Sequence, residues 1–261
     1  MCSGTGTLNV NTLVSMNLSP HQSGVPDNLT SYFWSGNSIR SRSVSDIVLS
    51  GKLEIPLPPA RLAADWEREI SHRLGLEPGD VEALSLARAR VRWPDYKRCV
   101  QAVSEWTHAL GLHQVLESSD VALMACRGAR YHHDGAHYGG MAFCNLFLSD
   151  DKGLDLHFPN TGHRIPLIRG TAVIFDTGQP HAVIERRSDG SNLVNFPSGV
   201  DCTQVFLTWE VPLENAHVRQ ALQIEFDIDP STSTLLDEEQ VWLNGSLASV
   251  CPNSGRWFQA N

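Results

Sequence analysis

Apolar residues recur along this chain with two different periods, and the change of period divides it. After Pro59, Leu62, Trp66, Ile70 and Leu74 fall on one stripe that Gly75 closes, which predicts an amphipathic helix. Pro94-Asp95 opens a second such stripe through Cys99, Val100, Val103, Trp106 and Leu110, stopped by Gly111. Between them Leu86 to Trp93 alternates, Arg88, Arg90 and Arg92 against Ala89, Val91 and Trp93, which predicts a half-buried strand. From Asp120 onward short apolar runs dominate: Asp120 to Cys126, Cys144 to Leu148, Gly170 to Asp176 and Cys202 to Trp209, each bounded by Gly, Pro, Asp or Asn. A β core dressed by helices is the expected class.

The flanks read differently. Residues 1–50 hold eleven serines with many Asn, Thr and Gly, a loop-rich leader with short strands expected near Leu8–Val14 and Ile47–Leu53. Residues 51–119 form the helical support, 120–211 the core, and 212–261 an extension with a helix expected over Glu214–Leu222 and an apolar segment at Val241–Leu247. At 261 residues the chain suits one domain with extensions, and no internal repeat appears.

Composition narrows the function. A formal net charge of −9, with no basic run, argues against a nucleic-acid partner, and 41% hydrophobic content is that of an ordinary globular protein. No apolar stretch approaches a membrane span and the first residues lack a secretory signal, so a cytoplasmic location is expected. Six scattered cysteines without a Cys-x-x-Cys pair read as reduced thiols.

Candidate chemistry lies in Tyr131–Arg187. His132, Asp134 and His181 stand in the order His-x-Asp and distant His. Residues two apart in a strand project to one side, so His132 and Asp134 can hold one metal while His133 points away, with His181 arriving from a neighbouring strand. Two imidazoles and a carboxylate suit Fe(II) and leave adjacent coordination positions open; zinc or manganese would also be accepted by these donors.

The order of this region, with Cys144-Asn-Leu-Phe-Leu-Ser-Asp-Asp-Lys-Gly, Leu154 to Pro159, Gly162 to Pro166 and Arg169-Gly170 between the ligand positions, resembles the double-stranded β-helix (jelly-roll, cupin-like) core of the Fe(II)/2-oxoglutarate-dependent oxygenases, particularly their prolyl-hydroxylase-like branch. The resemblance spans residues 120–211. It implies a dioxygenase that takes Fe(II), 2-oxoglutarate and O₂, hydroxylates a C–H bond of a small metabolite, amino acid or peptide side chain, and releases succinate and CO₂. The alternative is a catalytically silent or cupin-like metal-binding β-helix that acts as a ligand- or partner-binding module.

One departure from the family pattern bears on the co-substrate. The basic residue that would pair with its far carboxylate falls, counted back from Trp209, on Thr203. A buried carboxylate without a cationic partner is costly, so either the partner comes from elsewhere or the co-substrate is different; Arg187 is the first candidate, on the face of His181 by parity if residues 182–187 stay extended. Arg186, Arg127 and Arg130 follow it. Asn145, the lone amide in an apolar strand, is a candidate for the co-substrate or for a structural hydrogen bond.

Overall fold

The computed structural model describes residues 28–73, 81–117, 119–187 and 201–260. In chain order its elements are β1 (Leu29–Ser35), β2 (Ser38–Ser43), β3 (Val48–Lys52), α1 (Ala60–Arg73), β4 (Val81–Leu84), α2 (Leu86–Arg92), α3 (Tyr96–Ala109), β5 (Val121–Arg127), β6 (Ala129–His132), β7 (Met141–Phe147), β8 (Leu154–Phe158), β9 (His163–Pro166), β10 (Thr171–Asp176), β11 (His181–Glu185), β12 (Thr203–Pro212), α4 (Ala216–Ala221), α5 (Pro230–Ser233), β13 (Gln240–Leu243), β14 (Ser246–Val250) and β15 (Trp257–Gln259).

The core is a double-stranded β-helix. β5 pairs with β12, β6 with β11, β7 with β10 and β8 with β9, every pair antiparallel. These nested pairs are one long hairpin wound on itself, and the lateral pairs β7·β12 and β8·β11 close the winding. Two sheets result, ordered β3-β10-β7-β12-β5-β4 and β6-β11-β8-β9. Both faces of the six-stranded sheet are covered, which is why its strands read as near-continuous apolar runs. Val205, Leu207, Trp209 and Val211 of β12 face α1 and α3, packing with Leu62, Trp66, Ile70, Val103 and Trp106. Phe206 turns the other way and joins Phe147, Val173, Phe175, Leu156 and Phe158 between the sheets. Burial of each such side chain contributes about 1.5–3 kcal/mol.

Three expectations need correction. Leu86–Arg92 is the helix α2, not a strand: Ser85 caps it by accepting from the Arg88 N–H, and Ala89 alone of its residues is buried. With only Ala89 buried and Leu86 partly so against the core, alternation of arginines carries no strand signal, and the cap decides. The leader is not loop-rich throughout. β1 and β2 form a hairpin that joins β13, β14 and β15 in a five-stranded sheet built from both ends of the chain. The core also recruits strands from outside residues 120–211, since β3 and β4 edge the larger sheet. Gly170, at φ +85°, lets the chain turn into β10 against β3, where a Cβ would overlap the Leu53 carbonyl oxygen. The strand expected near Leu8–Val14 lies outside the described residues. No helix among the described residues is long and apolar enough to cross a membrane.

Candidate metal centre

The nested hairpin brings the start of β11 against the end of β6, with His181 opposite His132. The pairing is irregular: His181 matches His132, but Val183 matches Ala129, so one extra residue is accommodated in β6. Such a bulge re-aims side chains. It lets Ala129 pack between the sheets while Tyr131 lies on the outer face with Ala182 and Ile184, and His132 comes beside His181 with ring centroids 4.4 Å apart.

Asp134 follows just past the strand and completes the group. The ligand atoms of His132, Asp134 and His181 all lie within 4.8 Å of one another. His181 Nε2 is 3.4 Å from Asp134 Oδ2 and His132 Nε2 is 3.9 Å from Asp134 Oδ1. Each imidazole turns its other nitrogen to the backbone: His132 Nδ1 is 2.7 Å from the Arg130 carbonyl oxygen, and His181 Nδ1 is 3.0 Å from that of Gln179. A carbonyl can only accept, so both Nδ1 atoms carry the proton and both Nε2 lone pairs face the carboxylate. His181 is buried against Phe175, ring centroids 4.8 Å apart, and burial, with His132 beside it, pushes its pKa down to about 4. A neutral imidazole is the metal-binding form. His133 points elsewhere, onto Trp257 of β15 at 4.9 Å.

A buried ion pair holds the turn that carries this geometry. Arg42 of β2 and Asp176 at the end of β10 are fully buried and joined at 2.7 and 2.8 Å. Asp176 also accepts from the Ser45 and Gly178 N–H groups. The next residue, Thr177, accepts at its carbonyl from the Asp134 N–H at 2.8 Å, and its hydroxyl bonds the Tyr138 and Met141 carbonyls. One clamp thus positions the loop of Asp134 and the approach to His181. Neither partner stood out in the sequence; an acidic residue closing the apolar run Thr171–Phe175 was the available signal.

The co-substrate candidates fall in different places. Thr203 shares the outer face of β12 with Val205 and lies with Arg127 along a cleft under α1, so it does not enter the barrel. Counting from Trp209 selects that face because Trp209 itself packs outward. Arg187 is exposed in a turn: β11 ends at Glu185, so the extended parity assumed for it fails. Arg186 instead folds over the outer face of the smaller sheet, pairing with buried Asp155 at 2.7 Å and with Asp151 at 2.8 Å. Arg186→Ala should therefore lower stability by about 1–3 kcal/mol, leaving the Asp155 carboxylate without a partner, while Arg187→Ala should be near neutral in denaturant titration and in co-substrate affinity. A selective loss of co-substrate binding in Arg187→Ala would reverse this assignment.

Asn145 does face the inside. It alternates with Phe143 and Phe147 on the inner side of β7, is buried, and its Oδ1 has no partner. The group missed by sequence reasoning is Gln204. It is fully buried, shares the inner side of β12 with Phe206, and neither amide atom has a partner. A lone amide in an apolar strand was its signal too, as for Asn145.

No family model matches the sequence, and no curated protein matches it. Among solved structures the chain is similar to EvdO2 from Micromonospora carbonacea var. aurantiaca, at 13% identity over 73% of this chain and 92% of that one, TM-score 0.38. It is similar to a viral collagen prolyl hydroxylase from Paramecium Bursaria Chlorella virus-1 at 10% identity, covering 62% and 89%, TM-score 0.35. A Pseudomonas putida prolyl-4-hydroxylase follows at 18% identity, covering 58% and 78%, TM-score 0.32. At such distance the site's own residues have to carry the chemistry.

Proposed function

We propose that the protein is a mononuclear non-haem Fe(II)/2-oxoglutarate-dependent oxygenase that hydroxylates a C–H bond of a small metabolite, amino acid or peptide side chain. The observation that carries this reading is the convergence of two Nε2 lone pairs and one carboxylate at the mouth of a double-stranded β-helix, with both Nδ1 protons committed to backbone carbonyls. Two nitrogens and one oxygen from three residues suit a divalent first-row metal and leave coordination positions for a chelating co-substrate and O₂.

His132, Asp134 and His181 would hold the iron, which supplies O₂ activation coupled to decarboxylation of the 2-oxo acid to succinate and CO₂. The rest is the work of the chain. The Arg130 and Gln179 carbonyls fix the imidazole tautomers, and outer hydrogen bonds of this kind are worth about 10- to 100-fold in metal affinity. Phe175 and Phe158 cover His181 on the barrel side and keep water from its ring. Asn145 offers an acceptor deeper in the barrel.

The test is anaerobic titration of the Fe(II) protein with 2-oxoglutarate. A visible metal-to-ligand charge-transfer band should grow to saturation, and succinate should form when air is admitted. Iron bound at one equivalent with no band at millimolar 2-oxoglutarate would discard the oxygenase reading in favour of a metal- or ligand-binding module.

A further inference from the structure

The inner side of β12 carries Gln204 at the end of the strand remote from Pro212, and its surroundings explain why it is unusual. Its register partner on β5 is Cys126, and two residues along it lies Phe206, whose ring meets Phe147 at 5.4 Å. The amide is thus set among apolar groups, fully buried, with both Nε2 and Oε1 unpartnered. An unpartnered buried amide costs about 1–3 kcal/mol, a cost the fold bears with no gain to itself. Such a group is expected where a ligand completes it.

Charge narrows the role. The inward faces of β5, β7, β8, β10, β11 and β12 carry no lysine or arginine among the described residues. The segments outside the described residues contain no lysine or arginine at all. Arg130 lies in the bulged strand β6 beside His132, half-buried, and is the competing anchor.

We propose that Gln204 meets the far end of the co-substrate inside the barrel as a neutral hydrogen-bond donor, in place of a cation. The inference rests on the 2-oxo-acid oxygenase reading and adds to it a residue and a selectivity. An amide Nε2–H₂ donates to a carboxylate or to an ester carbonyl, with only the modest advantage of one charge-assisted hydrogen bond for the carboxylate, whereas an arginine separates them by a full ion pair. The site should therefore discriminate weakly between 2-oxoglutarate and its 5-methyl ester.

Two measurements on the full chain test this. In the first, apo Gln204→Leu should melt about 2–4 °C higher than the parent, because an unpartnered buried amide is replaced by an apolar group of similar volume. Gln204→Met, unbranched, is the second variant should leucine disturb the packing. A lower melting temperature in both would show that the amide is needed by the fold and overturn the proposal. In the second, the charge-transfer band of the Fe(II) protein is titrated anaerobically. The parent should bind 2-oxoglutarate and the 5-methyl ester within about tenfold of each other, and Gln204→Leu should weaken 2-oxoglutarate about tenfold with one Fe(II) still bound. A preference of more than about 100-fold for the dianion in the parent, the mark of an ion pair, overturns it. So does Arg130→Gln if it weakens 2-oxoglutarate more than Gln204→Leu does. Absence of a band with either ligand in iron-loaded parent protein overturns the co-substrate reading itself, and this inference with it.

Discussion

His132→Ala and His181→Ala are each expected to abolish stoichiometric Fe(II) binding, weakening it more than about 100-fold, since even loss of an outer hydrogen bond to a ligand costs 10- to 100-fold. The two variants differ in what else they remove. The His132 side chain is 42% exposed, so its truncation removes a ligand and little packing. His181 is buried between Phe175 and Phe158, and its truncation leaves a void beside both rings, so stability falls as well. Anaerobic equilibrium dialysis with colorimetric iron determination measures the first effect and urea denaturation the second. Full iron occupancy in both variants would remove the triad from the metal site.

The triad was legible because its logic is local. The His-x-Asp spacing and the Thr-Gly-Gln-Pro turn after an apolar strand single out the three residues, although β6 ends at His132 and Asp134 is held by the Thr177 carbonyl, not by strand parity. The apolar runs of β7, β10 and β12 were legible for a similar reason, since strands covered on both faces leave unbroken hydrophobic stretches. What escaped depends on facts one strand cannot state. Which side of β12 faces the barrel is set by α1 and α3 packing on Trp209, so counting back from that residue reached Thr203 and missed its neighbour Gln204. The end of β11 at Glu185 turns Arg186 onto Asp155 on the outer face and leaves Arg187 exposed in a turn, so the extended parity on which their ranking rests does not apply. Pairing of β1 with β13 joins Leu29 to Leu243, and no period within either segment announces a contact over that separation.

The same long-range blindness hid Arg42, the residue whose removal is expected to cost most stability. In Arg42→Met the Asp176 carboxylate stays fully buried with two backbone N–H groups but no cation, and breaking a buried pair on one side costs about 3–5 kcal/mol. Arg42 also donates to the Gly139 and Ser43 carbonyls, so those acceptors lose partners too. Asp176→Asn should cost a comparable amount by leaving the guanidinium buried and unpaired. The effect should reach the metal, because Thr177, next to Asp176, holds the Asp134 backbone. Iron affinity should fall in both variants although no ligand is touched. The double variant Arg42→Met/Asp176→Leu should recover part of the stability, since neither charge is then stranded, while iron affinity stays low because the turn has lost its anchor. Urea denaturation with and without Fe(II) separates the two effects. Losses below about 1 kcal/mol in both single variants, the range of an exposed ion pair, would show that the pair is solvated and that the turn is held by its backbone hydrogen bonds alone.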